Sequence, residues 1–377
     1  MKAVTRYYFD HNATTPVSPE VFEAMAPLMM TVFGNASSIH QFGQEARAEL
    51  DRARRSVAAM LSARAEEIVF TGGGTEADNM AIFGAGGHVI TTTVEHPAVL
   101  QAAQQLPSAT FVPVDARGVV DPAAVRAAIR PETKLISVMH VNNELGVVQP
   151  LLEISRIAHA AGVLFHSDGV QAMGKIPVDV GELGVDLYSI SAHKIYGPKG
   201  IGALYVRKGT DLRPLIYGGP HERKMRAGTE NVPGAAGFGR AAQWVIEGSA
   251  AEATRQAALR DYLEQGILAS VDGAHVNGAG ASRVGNTSNI RFDGIDSEPL
   301  LIALDLKGFA VSSGSACSSG ATEPSHVLAA IGLTREQARS SVRFSLGRSN
   351  TQEQIDALVG AVVQVVTRLR KLAPAYV

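Results

Sequence analysis

The chain has 377 residues, of which 46% are hydrophobic and 19% charged, and its formal net charge at pH 7 is −2. This length exceeds what one hydrophobic core usually serves, so a large domain with a smaller one is expected. The small net charge argues against nucleic acid or an anionic membrane as the main partner. No apolar leader opens the chain and no run reaches the roughly 18 apolar residues of a membrane span, which predicts a cytoplasmic protein.

Predicted helices and strands alternate along the first two thirds of the chain. A helix is expected to begin at Ser18 and Pro19, with Ser18 as its N-cap, and the next one covers QEARAELDRARRSVAAML. From residue 67 onward, strands alternate with helices, and the strands contain EEIVF, HVITTT, TFVPV, KLISVMHV, VLFHSD and DLYSI. This alternation is typical of a parallel sheet with right-handed crossovers, in which ligands bind at the carboxyl ends of the strands.

The pattern changes after about residue 245. A long helical stretch rich in Ala, Glu and Arg leads to the strand candidates SNIRF, FAVSS and VRFSL and to a closing helix. Thr351 and Gln354 form a capping-box pattern at the start of that helix. We therefore predict an α/β protein with a large domain at residues 16–248. A smaller α+β domain would comprise residues 1–15 and 249–377 and would carry the single cysteine, Cys317.

A glycine-rich loop, TGGGTEADN at residues 71–79, follows a predicted strand and opens a helix. Backbone N–H groups at a helix N-terminus bind anions, so this loop is a candidate phosphate site. Gly72, Gly74 and Ala77 also fit the dinucleotide pattern G-x-G-x-x-A, with Glu95 near the expected acidic position. A tight turn without a ligand explains the match as well. The lysine and aspartate found further along are not needed for hydride transfer, which argues against a nicotinamide cofactor.

Two further segments place polar groups just after apolar strands. HSDGVQ at residues 166–171 contains Asp168 and Gln171, and no G-x-S-x-G elbow supports a hydrolase there. A helix cap is the structural alternative for Asp168. Lys194, in SAHKIYGPKG, directly follows the strand DLYSI, where desolvation favours a nucleophilic amine. An ordinary surface lysine is the alternative for Lys194.

Taken together, these groups point to pyridoxal 5′-phosphate. This cofactor needs a phosphate cradle, a lysine for its Schiff base and an acid beside its pyridine nitrogen. The glycine loop with Thr75, Lys194 and Asp168 supply these groups, and His96 supplies a flat ring that can stack on the cofactor. All of them follow predicted strands, at the sheet edge where such a site belongs.

The sequence closely resembles the cysteine desulfurases of the NifS/IscS type, which are class-V aminotransferases with the fold-type I architecture of pyridoxal-phosphate enzymes. The resemblance runs through nearly the whole chain. Its motifs are YFDHNATTP, GNASSIH, TGGGTEADN, EHPAV, NNELG, SDGVQAMGK, SAHKIYGPKG, HERKMRAGTEN, SSGSACSSG, EPSHVLAAIG and RFSLGR. It implies a mostly parallel large domain, a smaller α+β domain, and the conversion of L-cysteine to L-alanine with pyridoxal phosphate as cofactor.

The resemblance also implies which residues bind the cofactor. Lys194 would form the Schiff base, Asp168 would keep the pyridine nitrogen protonated and Gln171 would hydrogen-bond the ring oxygen. The full set of cofactor-binding residues would be Gly74, Thr75, Asn143, Asp168, Gln171, Ser191, His193 and Lys194, joined by Thr229 from the second subunit of a homodimer.

The catalytic residues implied by the resemblance are Cys317, Lys194 and His96. Lys194 would take the Cα proton, His96 would assist proton transfer and the Cys317 thiolate would receive the sulfur as a persulfide. Arg343 would bind the substrate carboxylate with Asn143 beside it, the alternative being a strand arginine paired with an acid. For a lone cysteine the alternative is a small buried hydrophobic residue.

The implied partners are L-cysteine, a second copy of the chain, and sulfur-acceptor or iron–sulfur scaffold proteins. No resident metal is expected, although Cys317 would contact an iron–sulfur centre transiently. Two other functions stay open at this point. One is a selenocysteine lyase or another fold-type I aminotransferase, and the other is a non-catalytic scaffold for proteins of a sulfur pathway. The sequence does not indicate which acceptor receives the sulfur.

Overall fold

The computed structural model describes residues 5–314 and 324–372. Its strands are β1 (Tyr7–Tyr8), β2 (Ile68–Thr71), β3 (His88–Thr92), β4 (Ala109–Val112), β5 (Thr133–Ser137), β6 (Leu164–Asp168), β7 (Leu187–Ser191), β8 (Gly202–Val206), β9 (Ala274–Val276), β10 (Thr287–Phe292), β11 (Phe309–Ala310) and β12 (Ser341–Ser345). Its helices are α1 (Pro19–Met30), α2 (Gln41–Met60), α3 (Gly74–Ala85), α4 (Pro97–Gln104), α5 (Pro122–Ala127), α6 (Leu151–Ala160), α7 (Val180–Leu183), α8 (Val232–Ser270), α9 (Ser297–Leu306), α10 (His326–Ala330), α11 (Arg335–Arg339) and α12 (Gln352–Leu372).

The largest sheet has the strand order β2-β8-β7-β6-β5-β3-β4. The pairs from β7 through to β4 are parallel, whereas β8 runs antiparallel to both of its neighbours, β7 and β2. The mostly parallel sheet predicted from the alternation of strands and helices is therefore confirmed. The antiparallel direction of β8 brings the chain back past the end of β2, beside the glycine-rich loop.

Helices cover both faces of this sheet, which explains its apolar strands. Successive side chains of a strand point to opposite faces. Val89, Leu135 and Leu187 accordingly pack with apolar side chains of α3 and α4. Their neighbours Ile90, Ile136 and Tyr188 pack with those of α2, α6 and α8 on the other face.

A second hydrophobic cluster surrounds the antiparallel sheet β12-β10-β9. It contains Phe9, which follows β1, and β1 in turn pairs with β11. Helix α8 contributes to both clusters: its residues up to Val245 belong to the first and those from Leu259 to the second. We propose that the two clusters are the cores of two domains divided near residue 248 of α8. The membership of Phe9 in the second cluster supports the assignment of residues 1–15 to the small domain.

Two helix starts differ in detail from the sequence prediction. Helix α1 begins after Ser18 with Pro19 in its first turn, but the Ser18 side chain forms no N-cap hydrogen bond. At α12 the hydroxyl of Thr351 accepts from the backbone N–H of Gln354 at 3.4 Å, while the Gln354 side chain accepts from Asn350 instead of closing a capping box. At α12 the side-chain amide of Asn350 thus competes for the Gln354 side chain. None of the described helices combines the length and apolar composition that crossing a bilayer requires.

Candidate active site

A cavity of about 330 Å³ opens at the carboxyl ends of β6 and β7, beside the N-terminus of α3. This is where open parallel sheets bind their ligands, and the volume is within the usual range for small-molecule sites. The sequence-predicted residues that line it are Gly74, Thr75, His96, Asn143, Asp168, Gln171, Ser191, His193, Lys194 and Arg343. Residues widely spaced in the chain thus meet in one place.

Lys194 lies in a single 3-10 turn, Ala192–Lys194, that follows β7. Its Nζ donates to the backbone carbonyl oxygens of Asn12 at 2.5 Å and Ala13 at 2.8 Å. The segment after β1 therefore holds the amine at the cavity. The amine is thereby placed where it can form a Schiff base with a ligand in the cavity.

Asp168, the last residue of β6, is buried beneath the cavity. Burial raises the pKa of its carboxyl group to about 6, although the nearby positive charge of Lys194 acts in the opposite direction. Its Oδ1 accepts from the backbone N–H of Val170 at 2.9 Å and so caps a turn, whereas the next described helix, α7, begins only at Val180, so the helix-cap alternative is wrong. A cationic ring nitrogen at this position would stabilise the carboxylate and offset the cost of its burial.

His96 is the N-cap of α4 and lines the cavity. Its Nδ1 accepts from the backbone N–H of Ala98 at 3.1 Å, so the proton of the neutral ring is on Nε2. Burial lowers the pKa of His96 to about 4, and the positive charges of Lys194 and His326 add to this shift. The imidazole is therefore neutral at pH 7 and carries a proton that it can donate.

The N-terminus of α3 forms the candidate phosphate cradle. The first N–H groups of a helix have no acceptor within the helix and bind anions. A Cβ atom at Gly74 would lie 2.8 Å from Cγ2 of Val170, so only glycine leaves this approach open. Glu76 places a carboxylate in the same turn, and Arg226 offsets its charge through a contact of 2.8 Å from Nε to Oε1.

Arg343 lies on β12 and is only 2% exposed. Its Nη2 is 2.7 Å from Oδ1 of Asp10, and its Nη1 donates to the carbonyl oxygens of Asn143 at 3.0 Å and Gly314 at 3.2 Å. The arginine thus lines the cavity and is also paired with an acid, as the alternative interpretation expects. Its buried Nε has no hydrogen-bond partner in the described part of the chain.

These residues fit pyridoxal phosphate. The cavity joins an anion-binding helix terminus that a Cβ would obstruct, a lysine amine, and a buried carboxyl group whose raised pKa a cationic ring would lower. The sequence profile of the family described as "Aminotransferase class-V" matches residues 7–358. The chain belongs to this family.

Close relatives of this class-V aminotransferase are called cysteine desulfurase IscS. The one from Dictyoglomus turgidum is 46% identical over 97% of this chain and 96% of its own length. The one from Anaeromyxobacter sp. (strain Fw109-5) is 49% identical over 98% of this chain and 94% of its own length. A solved structure of a NifS-like protein superposes with a TM-score of 0.90 at 36% identity, covering 97% of this chain and 100% of that one.

These findings confirm the family, the fold and the activity expected from the sequence. The class-V aminotransferase described here is a cysteine desulfurase that depends on pyridoxal phosphate. The roles assigned to individual residues stay predictions, since the relatives' names carry no residue assignments.

Two predicted site residues of this class-V aminotransferase are not among the residues that line the cavity. Thr229 is exposed, and its expected role is in the site of a second subunit. Cys317 lies outside the described residues. Gly314, three positions before Cys317, does line the cavity.

Asn12 is a buried cavity residue that sequence reasoning left without a role. Its carbonyl oxygen accepts from Lys194 and from Nε2 of Gln171 at 2.9 Å, and its Nδ2 donates to the carbonyl oxygen of Asn143 at 3.1 Å. The motif YFDHNATTP contains Asn12 and was the only available signal. Glu144, Asp78, Met139 and His326 line the cavity as well and were likewise assigned no role. Except for Met139, they lie in the family motifs NNELG, TGGGTEADN and EPSHVLAAIG.

Proposed function

We propose that this cysteine desulfurase transfers the sulfur of L-cysteine to Cys317 and releases L-alanine. The observation that carries the proposal is that Gly314 and Lys194 line the same cavity. Cys317 follows Gly314 by three residues, which span at most about 11 Å when fully extended. This short separation along the chain supports the proposal that Lys194 and Cys317 act on one substrate molecule.

Each sequence-predicted cavity residue has a role in this reaction. Arg343 binds the substrate carboxylate, and Lys194 moves the proton of the substrate Cα. Pyridoxal phosphate, when bound, supplies the conjugated ring that withdraws electrons from that carbon. Asp168 stabilises positive charge on the ring nitrogen, Gln171 hydrogen-bonds the ring oxygen, and the neutral His96 stacks on the ring and donates a proton. Further cofactor contacts come from Gly74, Thr75, Asn143, Ser191 and His193.

The sulfur transfer balances without an external oxidant or reductant. The Cys317 thiolate forms an S–S bond with Sγ of the substrate, and the bond between Sγ and Cβ breaks. Its electron pair stays with carbon, which takes up a proton, so L-cysteine and the thiol become L-alanine and a persulfide. Scaffold proteins of iron–sulfur cluster assembly, or enzymes that thiolate RNA and cofactors, then accept the sulfur, and an iron–sulfur centre contacts Cys317 only transiently. A persistent free thiol of this kind suits a reducing cytoplasm.

We also infer that the enzyme is a homodimer in which Thr229 contacts the phosphate in the partner's site. Thr229 is exposed, which leaves it available to another chain. Phe33, Ile39 and Phe42 are 67%, 94% and 54% exposed, and the Phe33 and Phe42 rings lie 5.6 Å apart. An exposed apolar group of this kind is typical of a protein interface and supports the dimer.

The decisive experiment measures alanine release from L-cysteine and protein-bound persulfide for the wild type and for Cys317→Ala. The wild type should release alanine and form persulfide, whereas the variant should form no persulfide and release alanine at least about a hundredfold more slowly, because its nucleophile is gone. Cys317→Ser serves as the matched control, since it keeps the size and polarity of the side chain. Both variants should retain the absorption band of bound cofactor. Undiminished alanine release would contradict the role of Cys317.

The same variants discriminate the alternative function of a selenocysteine lyase. A lyase of this kind expels selenium without a nucleophile from the protein, so Cys317→Ala would keep part of its activity on L-selenocysteine. Equal loss on both substrates supports the desulfurase mechanism.

A further inference from the structure

A second lysine amine, that of Lys175, lies close to the cavity. Lys175 follows Gln171 by four residues in the turn after β6, so both side chains extend to the same side. Its Nζ donates to Oδ1 of Asn12 at 2.9 Å and to Oε1 of Gln171. The ion pairs of the described residues do not include Lys175. Its amine therefore faces two neutral oxygen atoms rather than a carboxylate.

Backbone carbonyl groups determine which way the two amides face. A carbonyl oxygen only accepts hydrogen bonds, so the Gln171 atom at 2.9 Å from the Asn12 carbonyl oxygen must be Nε2. In the same way, the carbonyl oxygen of Asn143 at 3.1 Å requires Nδ2 of Asn12. Both amide oxygens consequently face Lys175. Oδ1 of Asn12 also accepts from Nδ2 of Asn286 at 3.0 Å, and Oε1 of Gln171 accepts from the Lys175 amine.

The surroundings of the amine agree with this network. A neutral amine has two N–H bonds, one for Oδ1 of Asn12 and one for Oε1 of Gln171. Burial of the amine lowers the pKa of Lys175 well below its usual value, and the positive charges of Lys194 and Arg343 act in the same direction. This shift favours the neutral form, which donates to both oxygens without adding a charge beside Lys194.

The contacts of Lys175 matter because Gln171 lines the cavity. Its Nε2 carries two hydrogens, and only one of them is needed for the carbonyl oxygen of Asn12. We propose that Lys175 is a positioning residue for the cofactor: it holds Oε1 of Gln171 and so keeps Nε2 as the donor available to the ring oxygen. This inference rests on the role proposed above for Gln171.

The test is a double-mutant cycle of Lys175→Met and Gln171→Leu in the full chain. Two quantities are measured, the apparent dissociation constant of pyridoxal phosphate titrated into the apoprotein and the absorption maximum of the bound cofactor. Lys175→Met should weaken cofactor binding about tenfold and shift the absorption maximum, because the amide oxygen of Gln171 loses its donor. In the Gln171→Leu background, Lys175→Met should have no further effect.

Lys307→Met is the matched control. Nζ of Lys307 donates to Oε1 of Gln364 at 3.1 Å on the surface, so this variant removes a hydrogen bond of the same chemical kind away from the cavity. It should leave both readouts unchanged. Lys175→Gln keeps a neutral N–H donor and should recover part of the affinity lost in Lys175→Met. Thermal unfolding of each apoprotein shows whether it folds, and Lys175→Ala, which also removes the donor, replaces Lys175→Met in the cycle if the latter does not.

The outcomes separate the two claims. If Gln171→Leu weakens cofactor binding but Lys175→Met does not, the positioning role is wrong and the role of Gln171 stands. If Gln171→Leu changes neither readout, the proposed role of Gln171 itself is wrong. If the effects of the two substitutions simply add, Lys175 acts on the cofactor by another route, which also overturns the inference.

Discussion

The carboxyl group of Glu95 is fully buried next to His96. Its oxygens accept from the hydroxyl of Thr92 at 2.7 Å and from the backbone N–H of Met139 at 3.0 Å. These hydrogen bonds lower the pKa, but burial outweighs them and raises it to about 8. The folded protein therefore holds a proton on Glu95 at pH 7, which an unfolded chain has released.

This proton makes the stability of the cofactor-free protein depend on pH. The pKa of Glu95 rises from 4.5 in the unfolded chain to about 8 in the folded one, so between these values only the folded state carries the proton. The free energy of unfolding should consequently fall as the pH rises through this window, by up to about 1.4 kcal/mol per pH unit from Glu95 alone. Glu95→Gln should remove this contribution, as urea unfolding at several pH values can measure.

The variant is compared with Glu153→Gln, which changes an exposed glutamate of α6 in the same way. The difference in unfolding free energy between Glu95→Gln and the wild type should grow with pH, while that for Glu153→Gln should stay flat. Parallel pH profiles for Glu95→Gln and the wild type would show that the Glu95 proton does not contribute.

At the residue scale, the sequence allowed prediction of those cavity residues that lie at the end of a strand or a few positions after it. Asp168, Lys194 and His96 could be found because a parallel sheet gathers the carboxyl ends of its strands. Asn12 could not be assigned a role in this way, because its contacts with Lys194 and Gln171 join positions more than 150 residues apart. The pairing of Arg343 with Asp10 depends equally on distant packing.

At the scale of elements, helix α8 shows how one position tolerates a methyl group and another does not. A Cβ atom added to Gly248 would meet ring atoms of Trp244 at 3.4 Å or more, which is ordinary van der Waals contact. A Cβ at Gly239 would lie 2.8 Å from Cα of Ala53, where α8 and α2 cross closely. The backbone of α2 cannot move away as a flexible side chain could.

Substitution by alanine should therefore have opposite effects on stability at Gly248 and at Gly239. Gly248→Ala should raise the free energy of unfolding by about 0.5 to 1 kcal/mol, since alanine loses less backbone entropy in a helix. Gly239→Ala should lower it by about 1 to 3 kcal/mol through overpacking. Chemical unfolding of both variants gives the two values, and a stabilising Gly239→Ala would contradict the close packing of α2 and α8.

Helices and strands could be predicted from the sequence where the local pattern of apolar and polar residues determines them. The strands β3, β5, β6 and β7 lie in the predicted segments because their apolar runs end in polar turns. The sequence analysis recognised that the pattern of helices and strands changes after about residue 245. This change falls inside α8 rather than at a loop, because one continuous helix contributes side chains to both hydrophobic clusters. The antiparallel direction of β8 has no local signature, since it follows from pairing with β2 and β7.

At the scale of the whole molecule, the proposed dimer assigns Lys194 and Thr229 of one chain to different active sites. A dimer of one Lys194→Ala chain and one Thr229→Asp chain then contains one intact site, although each variant alone has none. Random pairing of the two variants should restore about a quarter of the wild-type activity per subunit, since half of the dimers are mixed and each has one good site.

The control pairs Lys194→Ala with Asp168→Asn. Both residues line the cavity of one chain, so no mixture of these variants contains an intact site and no activity should return. Recovery is measured as alanine release after the two variants are coexpressed or refolded together. If Lys194→Ala and Thr229→Asp fail to complement each other, Thr229 does not act across subunits.

The hydrogen bonds of Asn12 join the beginning of the chain to positions 171, 194 and 286, and Arg343 closes the same cavity. During translation, the coenzyme pocket is thus incomplete until nearly the whole polypeptide has left the ribosome. The central strands are synthesised well before the chain can bind pyridoxal phosphate. We therefore expect the coenzyme to bind only after synthesis of the chain is nearly complete.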